Sequence, residues 1–219
     1  MKRDNGFTLL ELMTVMIIIA VLAALVLKAA GYAQNKAARS RAASEIAAMS
    51  TALESYKADN GEYPSNANTN LSPKVAPSTE NYQRAILHMV TYLCGPSALP
   101  TDTEKYKDYT KDIAAFRRWK SYGEFPGSSF CSDAEATLVT VPNLYKKEKK
   151  EGKEPEPDVI TVPVRHLVDP FGNPYGYSTA GTFNPTYDLW SYAGKAAPDP
   201  KDVENSGKPP PYPWWITNW

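Results

Sequence analysis

Gly6-Phe7-Thr8-Leu9-Leu10-Glu11-Leu12 is the stretch on which the fold turns, because it opens an apolar run from Phe7 to Leu27 that holds a single carboxylate. An ionised Glu in hydrocarbon costs roughly 2.5 to 3.5 kcal/mol on insertion scales, so Glu11 marks a functional position by default. At helical rise the run reaches roughly 31 Å, the thickness of a bilayer core. The leader Met1-Lys2-Arg3-Asp4-Asn5-Gly6 carries two basic side chains, which keeps it cytoplasmic and sends the chain after Leu27 outward. A cleavable secretory signal, with Ala20 to Ala24 as its cleavage region, and a plain uncleaved anchor are the alternatives. Glu11 in the first turn suits neither.

Past Leu27 the helical pattern continues. Residues 28–60 contain no Pro, one Gly (Gly31) and many Ala, the strongest helix former. Ala42, Ile46, Met49, Leu53 and Tyr56 recur every three or four residues, a narrow apolar stripe. Arg39, Arg41, Glu45, Glu54 and Lys57 are assigned to the remaining, solvated surface. Asn60-Gly61 followed by Pro64 ends the helix, with Gly61 as the left-handed cap.

The segment from 65 to 159 carries weaker patterns. Tyr82 to Leu93 and Asp108 to Tyr122 have helical spacing, Leu138 to Val141 reads as a short strand, and Lys146 to Asp158 as an exposed Lys/Glu/Pro loop. Farther on, Val168-Asp169-Pro170-Phe171-Gly172-Asn173-Pro174-Tyr175-Gly176-Tyr177 is a turn entering a strand, and Tyr187 to Tyr192 a second strand. Cys94 and Cys131 both fall in the exported portion. They are read as one candidate disulfide, contributing roughly 3 to 4 kcal/mol, or as two free buried thiols.

Four strings in this sequence resemble a known family. Gly6 to Leu12 resembles the class III signal sequence of type IV pilins and type II secretion pseudopilins. Ser55 to Pro64 resembles the segment after the long helix of major pseudopilins. Asp169 to Ser191 resembles their sheet hairpin, and Ile216-Thr217-Asn218-Trp219 their ending. The resemblance implies cleavage by a prepilin peptidase between Gly6 and Phe7, and N-methylation of Phe7. It further implies assembly into a homo-oligomeric helical filament with Glu11 meeting the Phe7 amine of a neighbouring subunit. The other partners it implies are further pseudopilins, an inner-membrane assembly platform and membrane lipid.

It also implies a calcium site after the serine of the last hairpin strand. Ca²⁺ takes six to eight hard oxygen ligands. Ser191, Asp199 and Asp202 are the ligands this chain offers, while Pro211-Tyr212-Pro213-Trp214-Trp215 stands where the family places acids. A solvated loop held by Pro and Trp packing is the alternative.

The fold class expected is therefore α+β and pilin-like: a long N-terminal helix on a small antiparallel sheet, with a helical insertion. The expected organisation is a leader (1–6), a transmembrane half-helix (7–27), a periplasmic amphipathic half-helix (28–60) and a globular periplasmic domain (61–219) with an insertion at about 65–159. The expected function is a structural pseudopilus subunit rather than an enzyme. A type IV or minor pilin, and a membrane-tethered glycan or ligand binder using the Trp- and Tyr-rich tail, are the alternatives. Twenty-four basic against twenty-four acidic residues give zero net charge, with no nucleic-acid footprint. Phosphate-loop, nucleophile-elbow and zinc-helix motifs are absent from the sequence.

Overall fold

The structure, a computed structural model, describes residues 8–71, 80–101, 104–144, 157–195 and 214–219. The chain divides into two compact units, residues 1–40 and residues 41–219.

Helix α1 spans Leu9–Asn60. In the first unit its large apolar side chains from Leu9 to Leu27 are exposed, Leu9 at 77 % and Leu27 at 74 %. It is the one described helix long and apolar enough to cross a membrane, and that exposure suits a lipid solvent rather than water. Gly31 sits within the helix without interrupting it.

In the second unit the stretch of α1 from Arg41 onward buries Ala42, Ile46, Met49 and Leu53, the stripe the spacing predicts. Its end is the predicted cap: Gly61 has φ +84° and donates its N–H to the Lys57 carbonyl at 2.7 Å, a conformation that strains residues with a Cβ.

Helix α2, Glu80–Cys94, agrees with the expectation. The third expected helix is shorter than its pattern: a 3-10 segment at Glu104–Tyr109 leads into α3, Thr110–Phe116. There Arg118 and Trp119 donate to the carbonyls three residues back, tightening the last turn. Trp119 then turns into the core, and Tyr122 N–H pairs with the Leu93 carbonyl at the end of α2.

The strands form two small antiparallel sheets rather than one. In the first, β1 (Thr137–Pro142) pairs with β2 (Val159–Val164), Val139 opposite Val162. The sequence reading foresees β1 at Leu138 to Val141 but names no strand at 159–164. In the second, β4 (Asp188–Ser191) lies between β3 (Gly176–Ser178) and β5 (Ile216–Thr217).

The main core gathers Met49 and Leu53 from α1, Ile86, Met89 and Leu93 from α2, Val162 and Val164 from β2, and Tyr177 and Leu189 from β3 and β4. A second cluster of Tyr82, Trp190, Tyr192 and Trp215 lies beside it. Gly176 is required where it stands: a Cβ there would lie 2.0 Å from a ring atom of Trp190, its cross-strand partner.

Candidate functional site

Helix α1 starts with a reciprocal cap. Thr8 donates its N–H and its Oγ1–H to Glu11 Oε2, at 2.9 and 2.8 Å, and Glu11 N–H donates back to Thr8 Oγ1 at 3.3 Å. Two groups that would otherwise lack partners at a helix start are thereby satisfied. The signal is plain in the sequence, Thr-x-x-Glu before an apolar run, yet reading the segment as a membrane span passes over it. The acid that looked anomalous thus has local partners in the single chain, while its other carboxylate oxygen, Oε1, is not used in the cap. Gly6 and Phe7, the cleavage and methylation positions, lie outside the described residues.

The root of the C-terminal loop is built by one aspartate and one serine. Asp169 Oδ1 accepts the N–H groups of Phe171 and Asn173 at 3.0 and 2.8 Å, which folds the Asp-Pro-Phe-Gly turn. Its Oδ2 accepts the Ser191 hydroxyl at 2.6 Å, and Ser191 Oγ in turn accepts the Ala193 N–H at 3.0 Å. Burial raises the Asp169 carboxyl above its usual range, against the lowering effect of these hydrogen bonds. Ser191 is therefore wholly buried and its hydroxyl engaged. Asp199 and Asp202, the other calcium candidates, lie outside the described residues. Among the described residues no cluster of three His, Cys, Asp or Glu side chains is arranged to hold a metal ion.

The neighbouring loop is held by Asp188, whose carboxylate accepts N–H groups from Thr182, Phe183 and Asn184. At the chain end, Asn218 pairs with Leu189 in both directions and donates its amide to the Tyr187 carbonyl. The Ile-x-Asn-Trp ending is therefore a third strand with its own clamp. In the described part of the tail, Trp215 is buried in one cluster with Trp190 of β4, and Trp219 stacks on Phe183 at 4.6 Å.

Glu45, placed on the solvated face of α1 by the sequence reading, is buried at 8 % exposure. It accepts from Arg41 Nε at 2.9 Å, from Ser129 Oγ at 2.7 Å and from the Tyr175 hydroxyl at 2.5 Å. A buried carboxylate is tolerated when it is paired and hydrogen-bonded; Arg41 lies one turn back on the same helix, while Ser129 and Tyr175 come from segments far along the chain. Cys94 and Cys131 are both free and buried in the structure, so the candidate disulfide is not formed in it. Cys94 belongs to the main core, whereas Cys131 lies outside that cluster.

The long N-terminal helix, the capped acid at its start and the small antiparallel sheets define a pilin-like α+β fold. The particular likeness comes from known proteins. The family described as prokaryotic N-terminal methylation motif matches residues 1–27, and the type II secretion system protein G family matches residues 30–103. The resemblance to the major pseudopilins of type II secretion thus extends beyond Pro64 through α2. A type II secretion system core protein G of Klebsiella pneumoniae is 40 % identical over 84 residues, covering 38 % of this chain and 60 % of the relative. That of Escherichia coli K12 is 40 % identical over 87 residues, covering 37 % and 59 %. The one of Pseudomonas aeruginosa is 41 % identical over 64 residues, covering 29 % and 45 %. The chain spans at most about 60 % of the length of these curated relatives. No solved structure matches the chain significantly.

Proposed function

We propose that this chain is a structural subunit of a type II secretion pseudopilus, of the protein G type. The observation that carries the reading is the succession, in one chain, of an N-terminal methylation motif over 1–27 and a protein G match over 30–103. In this reading a prepilin peptidase cuts after Gly6 and the Phe7 amine is methylated. The subunit waits in the inner membrane with its leader cytoplasmic and residues 28–219 periplasmic. Subunits then leave the bilayer through an assembly platform and stack into a homo-oligomeric filament with other pseudopilins, driving protein export.

Glu11 is the residue that makes assembly selective. In the single chain its Oε2 is occupied by Thr8. In the filament its charge is answered by the Phe7 ammonium of a neighbour, which removes the desolvation penalty from both groups. Calcium at the loop after Ser191 remains part of this proposal only through Asp199 and Asp202, since the Ser191 hydroxyl is already engaged.

Two measurements test the reading. Mass spectrometry of the mature protein should find an N-terminus at a methylated Phe7; an intact Met1, or a cut near Ala24, would sink it. Glu11→Ala should leave processing intact and abolish filament formation. The alternatives are less well supported. The named relatives are type II secretion proteins, and among the described tail tryptophans Trp215 is buried, with Trp214 and Trp219 packed against its cluster.

A further inference from the structure

Just past the membrane-length run, α1 carries charge of one sign. From Leu12 to Ser44 the sequence holds no acid, while Lys28, Lys36, Arg39 and Arg41 follow Leu27 in short order. Arg41 is paired with Glu45, and Arg39 is half-buried and already engaged. Lys28 and Lys36 are exposed, and between them stands Tyr32, the only large apolar side chain of α1 beyond Leu27 that is exposed. The helix runs through Gly31 without a break. Lys28, Tyr32 and Lys36, spaced four apart, therefore keep to one face, within an arc of about 80°.

Position and direction say what meets this face. At helical rise Lys28, Tyr32 and Lys36 lie about 2, 8 and 14 Å beyond Leu27. The Cα–Cβ bonds of a helix tilt toward its N-terminus, here toward the end of the apolar run. Lys28 thus reaches back into a headgroup layer roughly 5 to 7 Å deep, and the Tyr32 ring sits at its outer edge. The Lys36 stem leans the same way and keeps its ammonium within a Debye length of that layer, about 8 Å at physiological salt. Two cations flanking a ring with a hydroxyl tip match a phosphate-bearing interface in charge and in amphipathic character. An acidic protein partner would have to carry a carboxylate into the same layer to meet Lys28, where phosphates already stand.

We propose that Lys28, Tyr32 and Lys36 form a docking face for anionic phospholipid headgroups. The proposal rests on the reading of Leu9 to Leu27 as a bilayer span and deepens it. The face holds the span at one depth and one rotation, and its headgroups must be released before a subunit leaves the bilayer. It does not depend on which side of the membrane this flank lies.

The experiment places the full chain in vesicles of equal parts phosphatidylcholine and phosphatidylglycerol. Native mass spectrometry then counts the lipids the chain retains in mild detergent. Phosphatidylglycerol should be enriched over its vesicle share. K28Q and K36Q should each lower the enrichment by up to about fivefold, the effect of one basic residue at an anionic surface, and K28R/K36R should keep it. Y32A should reduce the number of lipids retained without changing their ratio. Lys, Arg and Gln are near-equal helix formers, so the exposed substitutions leave the fold in place. The same series in a K2Q/R3Q chain removes headgroups held by the leader from the count. A chain released from the vesicles by alkaline carbonate would overturn the span reading and this proposal with it. One that stays inserted yet retains both lipids in their vesicle ratio would overturn this proposal alone. So would an enrichment untouched in K28Q/K36Q, or weaker self-association of that variant with lipid retention unchanged, which would assign the face to a neighbouring copy.

Discussion

Glu45 is taken out of water on the buried side of α1 and answered by Arg41, Ser129 and Tyr175. Replacing it with Ala leaves two buried hydroxyl donors and a guanidinium without their acceptor, which should cost about 3 kcal/mol. Chemical denaturation of Glu45→Ala in detergent should show that loss, with Glu45→Gln intermediate because an amide oxygen still accepts from a hydroxyl. Gly176 is limited by space instead. With Trp190 at 2.0 Å from the position of a Cβ, Gly176→Ala forces the ring or the strand aside and should lower stability by about 3 kcal/mol, visible as a drop in Tm. Neither role follows from local spacing. Glu45 carries the residue type of a solvated face, and beyond the one-turn pair with Arg41 its two hydroxyl partners lie 84 and 130 positions away. The cap from Thr8 to Glu11, by contrast, is local and legible.

At the level of elements, α1 and α2 follow their sequence patterns because apolar period and capping chemistry act over a few residues. Between them a titratable contact sets a pH dependence. Asn66 Nδ2 donates to His88 Nδ1 at 2.9 Å, which requires that nitrogen to be unprotonated. Burial depresses the His88 pKa from 6.5 to about 4. Below 6.5 the unfolded chain binds a proton that the folded chain refuses, so stability falls as the pH drops from 6.5 to about 4. The loss totals at most about 3 kcal/mol, and a series of denaturation midpoints across that range should show it, with the slope reduced in His88→Gln. The strands were less readable. Residues 159–164, Val-Ile-Thr-Val-Pro-Val, have β-branched character, yet β2 exists because β1 offers it a partner across a long connection. Ile216 and Thr217 make a strand only where β4 presents an open edge.

On the scale of the molecule, the C-terminus closes the second unit. Removing Ile216 to Trp219 deletes β5, the Asn218 clamp and the ring stacked on Phe183. The expected result is a red shift in tryptophan fluorescence as the second aromatic cluster is uncovered, together with a lower Tm. An unchanged spectrum would show that Trp190 is shielded without β5. The same aromatic residues explain why a tail rich in Trp and Tyr reads equally as a ligand platform or as core when only its composition is known. The amino-acid sequence by itself determined the membrane-length helix, the acid near its start, its Asn60-Gly61 end and the family likeness. Each of these is written in periodicity, residue type or short-range spacing. Only the tertiary structure decided that Glu45 is an internal anchor, that Ser191 is tied to Asp169, that the sheets are two, and that Cys94 and Cys131 are unbonded. Those outcomes depend on which distant segments meet, and burial and partner geometry, rather than local propensity, settle them.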